Sequence, residues 1–292
     1  MLAGSLNNES QVIKLKDGRK LGYALYGDPN GKPLCYFHGW PSGRLMAAET
    51  DIAAKKLGVS VISIDRPGYG LSDYQEERTL LDWPNDVLEL ADKLKINKFA
   101  VIGISGGGPY AAVCAYKIPE KLTGVGIVVG LAPTYIPQML DGLPWFTKAI
   151  WASYARFPII AKAASILLYL NAKYSPGLGL FSFYFRSKYD RQILSNANIR
   201  QRVRRSVKDA FRMGYKGAEW DLKLFTTDWK FNLKDIKATV YLWYGSDDKN
   251  VSLAMGKYYA SQIPNHKLTI YPNEGHLCRI NHVEEIIETL TT

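Results

Sequence analysis

Apolar runs alternate with helical patterns through the first 130 residues of the chain. Four apolar runs are typical of strands buried on both faces, and they occupy residues 34–37, 59–64, 99–104 and 125–131. Between them, apolar residues recur at three- and four-residue spacing, which predicts helices over residues 45–57, 80–94 and 109–117. This alternation indicates an α/β fold with a mostly parallel sheet and helices on both of its faces.

The alternation is preceded by a predicted antiparallel hairpin and is interrupted once. Residues 12–15 and 21–26 flank a polar turn at residues 16–19, which is typical of a hairpin. After Pro133 the pattern becomes helical, aromatic and basic. It returns to strand and helix at residues 239–244, 253–262, 267–271 and 283–290. We therefore expect one α/β domain, formed by residues 1–133 and 235–292, with a helical insertion over residues 134–234.

The most specific chemical feature is Ser105, which lies in the sequence Gly103–Gly107 between an apolar strand and a helix. A serine at such a turn is held in a strained conformation that exposes its hydroxyl above the sheet. The strand and helix approach so closely that the residues two before and two after the serine must be small. The motif alone is also compatible with a structural glycine turn that carries an inert serine.

A serine nucleophile needs a base, and the base needs an acid. Of the four histidines, His276 follows the last predicted strand, whereas His266 and His282 fit solvated surface positions. Asp247 and Asp248 follow the penultimate strand, and only one of these adjacent side chains can face the histidine. The resulting chain order of serine, aspartate and histidine is that of one particular hydrolase scaffold.

These motifs resemble those of the α/β-hydrolase family over nearly the whole chain outside the insertion. The resemblance rests on His38–Pro41, Asp65–Ser72, the turn at Ser105 and the Gly-His pair at residues 275–276. It implies a doubly wound sheet of the eight-stranded type with an inserted helical cap. In that family the acid stands three residues after the glycine that ends its strand, which favours Asp248 over Asp247.

The resemblance also implies an oxyanion hole. Its two donors would be the backbone N–H groups of Gly106, after the nucleophile, and Trp40, after His-Gly. His38 would hold the loop rather than act as a base, and His38 and Trp40 would border the substrate pocket. A hydroxyl nucleophile favours transfer of an acyl group to water.

The resemblance therefore predicts a serine hydrolase of the carboxylesterase type, with Ser105, His276 and Asp248 as its triad. Two alternatives stay open. The same fold also supports amide, peptide or C–C bond hydrolysis and lyase reactions, and a binding protein could retain a weakly active triad. We expect no metal and no cofactor. Residues 106–111 fit a dinucleotide-binding pattern, but no acidic residue follows at the required distance.

Charge is distributed unevenly along the 292 residues. The chain has 37 Lys plus Arg and 27 Asp plus Glu, for a net charge of +10. The insertion holds 17 of these basic residues and 6 of the acidic ones, a net of +11, so the remainder is close to neutral. Residues 199–211 form an amphipathic helix with a basic face. That face is interpreted as solvated, or as a contact with a membrane surface or an acidic partner. No nucleic-acid-binding motif accompanies the charge.

Apolar segments of the insertion suggest the nature of the substrate. Residues 158–160, 166–170 and 178–185 are rich in aliphatic and aromatic side chains. Some must pack on the core, and the surplus predicts an apolar pocket over Ser105 that prefers hydrophobic acyl or alcohol groups to charged ones.

The start of the chain and its cysteines bear on localisation. Residues 1–10 lack the features of a signal peptide, and Cys35, Cys114 and Cys278 are too scattered for a disulfide framework. We expect a cytoplasmic protein with buried, reduced cysteines.

Overall fold

The structure, a computed structural model, describes residues 8–174 and 187–292. Within them the chain forms one eight-stranded sheet with the strand order β1-β2-β4-β3-β5-β6-β7-β8. The strands are β1 (Gln11–Lys14), β2 (Lys20–Gly27), β3 (Lys32–Phe37), β4 (Val59–Ile64), β5 (Phe99–Ile104), β6 (Leu122–Val128), β7 (Val240–Gly245) and β8 (His266–Tyr271). Strands β3 to β8 pair in parallel, and β2 runs antiparallel to both β1 and β4. The predicted α/β fold class and the hairpin are confirmed.

The sheet is buried on both faces. In β3, Cys35 and Phe37 belong to one apolar cluster, while Leu34 and Tyr36 belong to the cluster on the opposite face. Successive side chains of a strand point to opposite faces, so each face needs its own cover. Helices on the two sides provide it, which is the doubly wound arrangement expected from the continuous apolar runs.

The described helices fall into a core set and an inserted set. The core set is α1 (Asp51–Lys56), α2 (Trp83–Lys93), α3 (Gly108–Lys117), α9 (Leu253–Gln262) and α10 (Val283–Thr291). The inserted set lies between β6 and β7 and consists of α4 (Trp145–Arg156), α5 (Pro158–Tyr174), α6 (Lys188–Ile193), α7 (Ala197–Ala210) and α8 (Lys216–Phe225). The three cysteines are buried and unpaired.

Two predicted elements differ most from those observed. The helix expected over residues 45–57 is a 3-10 helix, Arg44–Thr50, followed by the short helix α1. The strand expected over residues 125–131 begins at Leu122 and ends at Val128, because Val129 has a positive φ of 44° that breaks the extended conformation. The first difference is in the type of helix and the second is in the ends of the strand, and both leave the positions of the candidate site residues unchanged.

Candidate active site

Ser105 lies at the tight turn between β5 and α3. Its φ is +53°, a left-handed conformation that is strained for a residue with a side chain. The neighbouring glycines are required by close backbone contacts: a Cβ on Gly107 would lie 2.2 Å from the carbonyl oxygen of Phe37. A Cβ on Gly103 would lie 2.3 Å from the carbonyl oxygen of Gly107. Only glycine fits at either position, and the turn leaves Ser105 bordering an open cavity.

His276 and Asp248 meet at the same end of the sheet. The Nδ1 atom of His276 lies 2.7 Å from Oδ2 of Asp248, whose side chain is fully buried. The other oxygen of Asp248 accepts hydrogen bonds from the N–H groups of Asn250 and Val251 at 2.7 and 3.0 Å. These bonds fix the carboxylate, and the carboxylate fixes the histidine ring. His276 borders the same cavity as Ser105.

Asp247 faces away from this arrangement. Its side chain is 39% exposed and forms an ion pair with Lys249. Of the two adjacent carboxylates, Asp248 therefore contacts His276 and Asp247 contacts solvent.

A third carboxylate supports the histidine loop from the insertion. Asp190, on α6, is fully buried. It accepts hydrogen bonds from the backbone N–H groups of His276, at 3.2 Å, and Leu277, at 2.8 Å. The sequence does not predict the role of this residue, because nothing in the pattern of a six-residue helix indicates contact with a loop 86 positions away.

Trp40 and Gly106 approach each other beside Ser105. A Cβ built on Gly106 would lie 3.2 Å from the backbone nitrogen of Trp40, and both residues border the cavity. The indole N–H of Trp40 donates a hydrogen bond to the carbonyl of Ala218 on α8 at 3.0 Å. The Trp40 loop is thus anchored to the insertion while its backbone stays next to the serine turn.

His38 is located differently from the expectation. It is fully buried and is absent from the side chains that border the cavity around Ser105, so its assignment to the substrate pocket is corrected. Its Nδ1 lies 2.8 Å from the carbonyl oxygen of Gly39, and its Nε2 accepts a hydrogen bond from the N–H of Arg66 at 3.2 Å. Burial, together with the charge of Arg66, holds the pKa of His38 well below its usual value. The His38 ring is therefore uncharged, and its hydrogen bonds support the Trp40 loop.

A buried network of charged residues connects His38 and the Trp40 loop to the insertion. Asp221, on α8, pairs with Arg66 at 2.8 Å and Arg78 at 2.5 Å, and it accepts hydrogen bonds from Tyr69 and Tyr110. Burial alone would raise the pKa of the Asp221 carboxyl, but the two arginines and the hydrogen bonds outweigh it and lower the pKa to about 2. Arg66 also donates a hydrogen bond to the carbonyl of Gly39 at 3.2 Å. The network, which the sequence pattern does not predict, fixes the Trp40 loop to α8.

The cavity next to Ser105 lies between core and insertion and has a volume of about 760 Å³, within the range of small-molecule sites. One part of its lining is apolar and includes Leu131, Trp151, Leu168, Leu194 and Phe225. Another part is basic and comes from α7, with Arg200, Arg204, Arg205 and Lys208. The expected apolar pocket is therefore only part of the cavity.

The three apolar segments of the insertion have different locations. Leu168 reaches the cavity, whereas Ile159 and Leu167 are 71% and 68% exposed. The segment over residues 178–185 lies outside the described residues.

The chain belongs to the α/β-hydrolase family, since residues 32–282 match the family described as alpha/beta hydrolase fold. An uncharacterised hydrolase of Saccharomyces cerevisiae is 26% identical over 287 residues, covering 95% of this chain and 94% of that protein. A non-heme haloperoxidase of Rhodococcus erythropolis is 24% identical over 284 residues, covering 92% of this chain and 94% of that protein.

A solved esterase from Exiguobacterium antarcticum has the same fold. It is 20% identical, with a TM-score of 0.69 and coverage of 96% of this chain and 97% of that one. Together with the family, the hydrolases among the relatives support a hydrolase that acts on a small molecule. Among the described helices, none is both long enough and apolar enough to cross a membrane.

Proposed function

We propose that the protein is a serine hydrolase that cleaves carboxylic esters with an apolar acyl or alcohol group. The observation that carries this proposal is the convergence of Ser105, in a strained turn, and His276, held by Asp248, on one cavity. Serine hydrolases require such a combination of exposed hydroxyl, base and orienting acid.

In the proposed acylation step, the Nδ1–H group of His276 donates a hydrogen bond to Asp248, which leaves Nε2 as the base. Ser105 Oγ attacks the carbonyl carbon of the ester and its proton passes to Nε2. The carbonyl oxygen becomes an oxyanion, for which the N–H groups of Trp40 and Gly106 are the proposed donors. Such preorganised donors stabilise the transition state by about 3 kcal/mol each.

Collapse of this intermediate breaks the ester bond. The alcohol leaves with the proton from His276, and the acyl group remains on Ser105. Water then attacks the acyl carbon and gives a proton to His276. The bond between the acyl group and Ser105 Oγ breaks, His276 returns the proton to Oγ, and the acid is released. Asp248 stabilises the charged imidazolium in both steps.

The proposal assigns residues 134–234 the role of a cap over the active site. Its support is that α4, α5, α7 and α8 all contribute side chains to the cavity that Ser105 borders. The buried contacts of Asp190 and Asp221 with the core support a cap that helps to hold the catalytic loops. Ester cleavage is preferred among the reactions of this fold because an apolar wall next to Ser105 suits a neutral acyl chain.

A fluorophosphonate probe tests the proposed nucleophile. We expect the probe to modify Ser105 in the wild type and to leave Ser105→Ala unmodified. Ser261→Ala, which removes an exposed serine on α9, is the matched control and should be labelled as the wild type is. Labelling at another residue, or none in folded protein, would remove the hydrolase proposal.

A further inference from the structure

Three basic residues form a stripe along the cavity wall. Arg200, Arg204 and Lys208 are spaced four residues apart on α7, so they lie on one face of the helix. The stripe extends over roughly 12 Å, at 1.5 Å per residue. All three side chains border the cavity that contains Ser105 and His276. Part of the helix's basic face is thus directed at the candidate active site.

The stripe is not neutralised by the surrounding protein. Arg200 donates hydrogen bonds to the carbonyls of Leu194 and Ser195, both at 2.6 Å, in the segment between α6 and α7. Arg205, on the adjacent face, pairs with Glu9. Arg204 and Lys208 have no acidic partner among the described residues. No described aspartate or glutamate lines the 760 Å³ cavity. Glu49 lines a smaller pocket that also contains Ser105 and His276, and it is paired with Arg279.

We propose that the substrate is an amphiphilic ester with an apolar chain and an anionic carboxylate or phosphate group, which Arg204 and Lys208 bind. This inference rests on the proposed function, whose site it uses. The apolar wall formed by Trp151 and Phe225 would hold the chain, and the basic stripe would hold the charge. For one end of the substrate, this proposal differs from the expectation that charged groups are disfavoured.

The size of the effect follows from the exposure of the two cations. Arg204 and Lys208 are exposed, so water screens each contact and each contributes a modest part of the binding free energy. Acting together on one anion, they should give a preference of about tenfold. The same screening makes the preference weaker at high salt.

A pair of substrates that differ in one terminal group measures this preference. The p-nitrophenyl ester of octanoic acid has a neutral methyl end, and the mono-p-nitrophenyl ester of suberic acid has the same chain length with a carboxylate. For the wild type we expect kcat/KM to be about tenfold higher on the suberate, and this ratio to fall in 0.5 M salt. Equal or lower kcat/KM on the suberate would overturn the proposal.

The double variant Arg204→Gln/Lys208→Gln assigns the preference to the stripe. Glutamine keeps a good helix propensity at both positions. We expect the suberate preference to disappear, so that kcat/KM on the suberate falls to about the value measured for the same variant on the octanoate. Lys162→Gln/Arg212→Gln removes two exposed charges of the insertion that do not border the cavity and should keep the preference. A double variant at 204 and 208 that retains it would contradict the assignment.

Binding to the inactive variant Ser105→Ala separates this inference from the proposed catalysis. Calorimetry with octanoate, octyl phosphate and octanol compares two anionic head groups with a neutral one on the same chain. We expect at least one anion to bind about tenfold more tightly than octanol, and the advantage to vanish when Arg204→Gln/Lys208→Gln is added. Equal binding of all three would overturn the anionic site. An anion preference without any ester hydrolysis by the wild type would reject the proposed reaction alone.

Discussion

Asp190, on a helix of the insertion, accepts a hydrogen bond from the backbone N–H of His276, on a loop of the core. The adjacent N–H of Leu277 donates to the other oxygen of the same carboxylate. The loop that carries the proposed catalytic base is therefore held from outside the core domain. This contact identifies Asp190 as a positioning residue.

Asp190→Ala should lower kcat by about tenfold or more while KM changes little, because misplacing a base weakens the proton transfer. It should also lower the thermal midpoint, since two backbone N–H groups lose a buried acceptor. Steady-state kinetics and thermal unfolding provide the measurements. Asp190→Asn retains one acceptor oxygen and should fall between the wild type and alanine. Asp141→Asn, an exposed carboxylate of the insertion, is the control. Unchanged kcat in folded Asp190→Ala would refute the positioning role.

Substitution of the two adjacent aspartates should have very different effects on kcat. Asp248→Asn keeps the shape but loses the negative charge that orients His276 at 2.7 Å, and kcat should fall by about 10³ to 10⁴. Asp247→Asn changes an exposed side chain paired with Lys249 and should stay within about twofold of the wild type. The measurement is kcat for ester hydrolysis by both variants. A larger loss of kcat in Asp247→Asn would assign the role of the acid to Asp247.

Gly107→Ala should destabilise the fold as well as the site. The new Cβ would lie 2.2 Å from the carbonyl oxygen of Phe37, and backbone on both sides must move. We expect a loss of about 3 kcal/mol or more in the free energy of unfolding, measured with denaturant. Gly18→Asn is the comparison: Gly18 has a positive φ of 93° but open space around it. Since asparagine enters positive-φ conformations more readily than most residues with a side chain, its loss should be smaller, about 1 kcal/mol.

The buried His38 should make stability depend on pH. Burial and the charge of Arg66 hold its pKa well below the ordinary histidine value of 6.5, so below pH 6.5 the unfolded chain binds a proton that the folded chain does not. Stability should therefore fall as the pH falls below 6.5, by up to about 1.4 kcal/mol per pH unit from this group. Denaturant unfolding between pH 5 and 8 should show a steeper decline for the wild type than for His38→Asn, whose amide can still donate to Gly39. Parallel curves would mean that His38 is protonated in the folded protein.

The strands were readable from sequence because burial on both faces leaves near-continuous apolar runs, as in residues 99–104. The candidate residues Ser105, Asp248 and His276 were found because each follows a strand, and the ends of parallel strands meet at one edge. The residues alone left the two aspartates open. The position of the acid in the family that the sequence resembles favoured Asp248, and the contact of Asp248 with His276 agrees with that choice.

Contacts between core and insertion could not be read in this way. Asp190 and Asp221 lie in short helices with no distinctive pattern, and their partners are determined by how the insertion packs on the core. The same holds for the basic helix α7: its periodicity predicted a basic face, but only the packing of α7 against the core shows that Arg204 and Lys208 border the cavity. His38 was assigned to the pocket because its loop leads there, whereas its ring turns inward to Arg66.

The proposed reaction requires a covalent acyl-enzyme on Ser105. Mixing the enzyme with p-nitrophenyl octanoate, quenching in acid within milliseconds and mapping the peptides by mass spectrometry tests it most directly. We predict an octanoyl group on the peptide that contains Ser105, together with a burst of p-nitrophenol close to one equivalent per active site when deacylation is rate-limiting. An octanoyl group on another residue, or product formation by Ser105→Ala at the wild-type rate, would contradict the account.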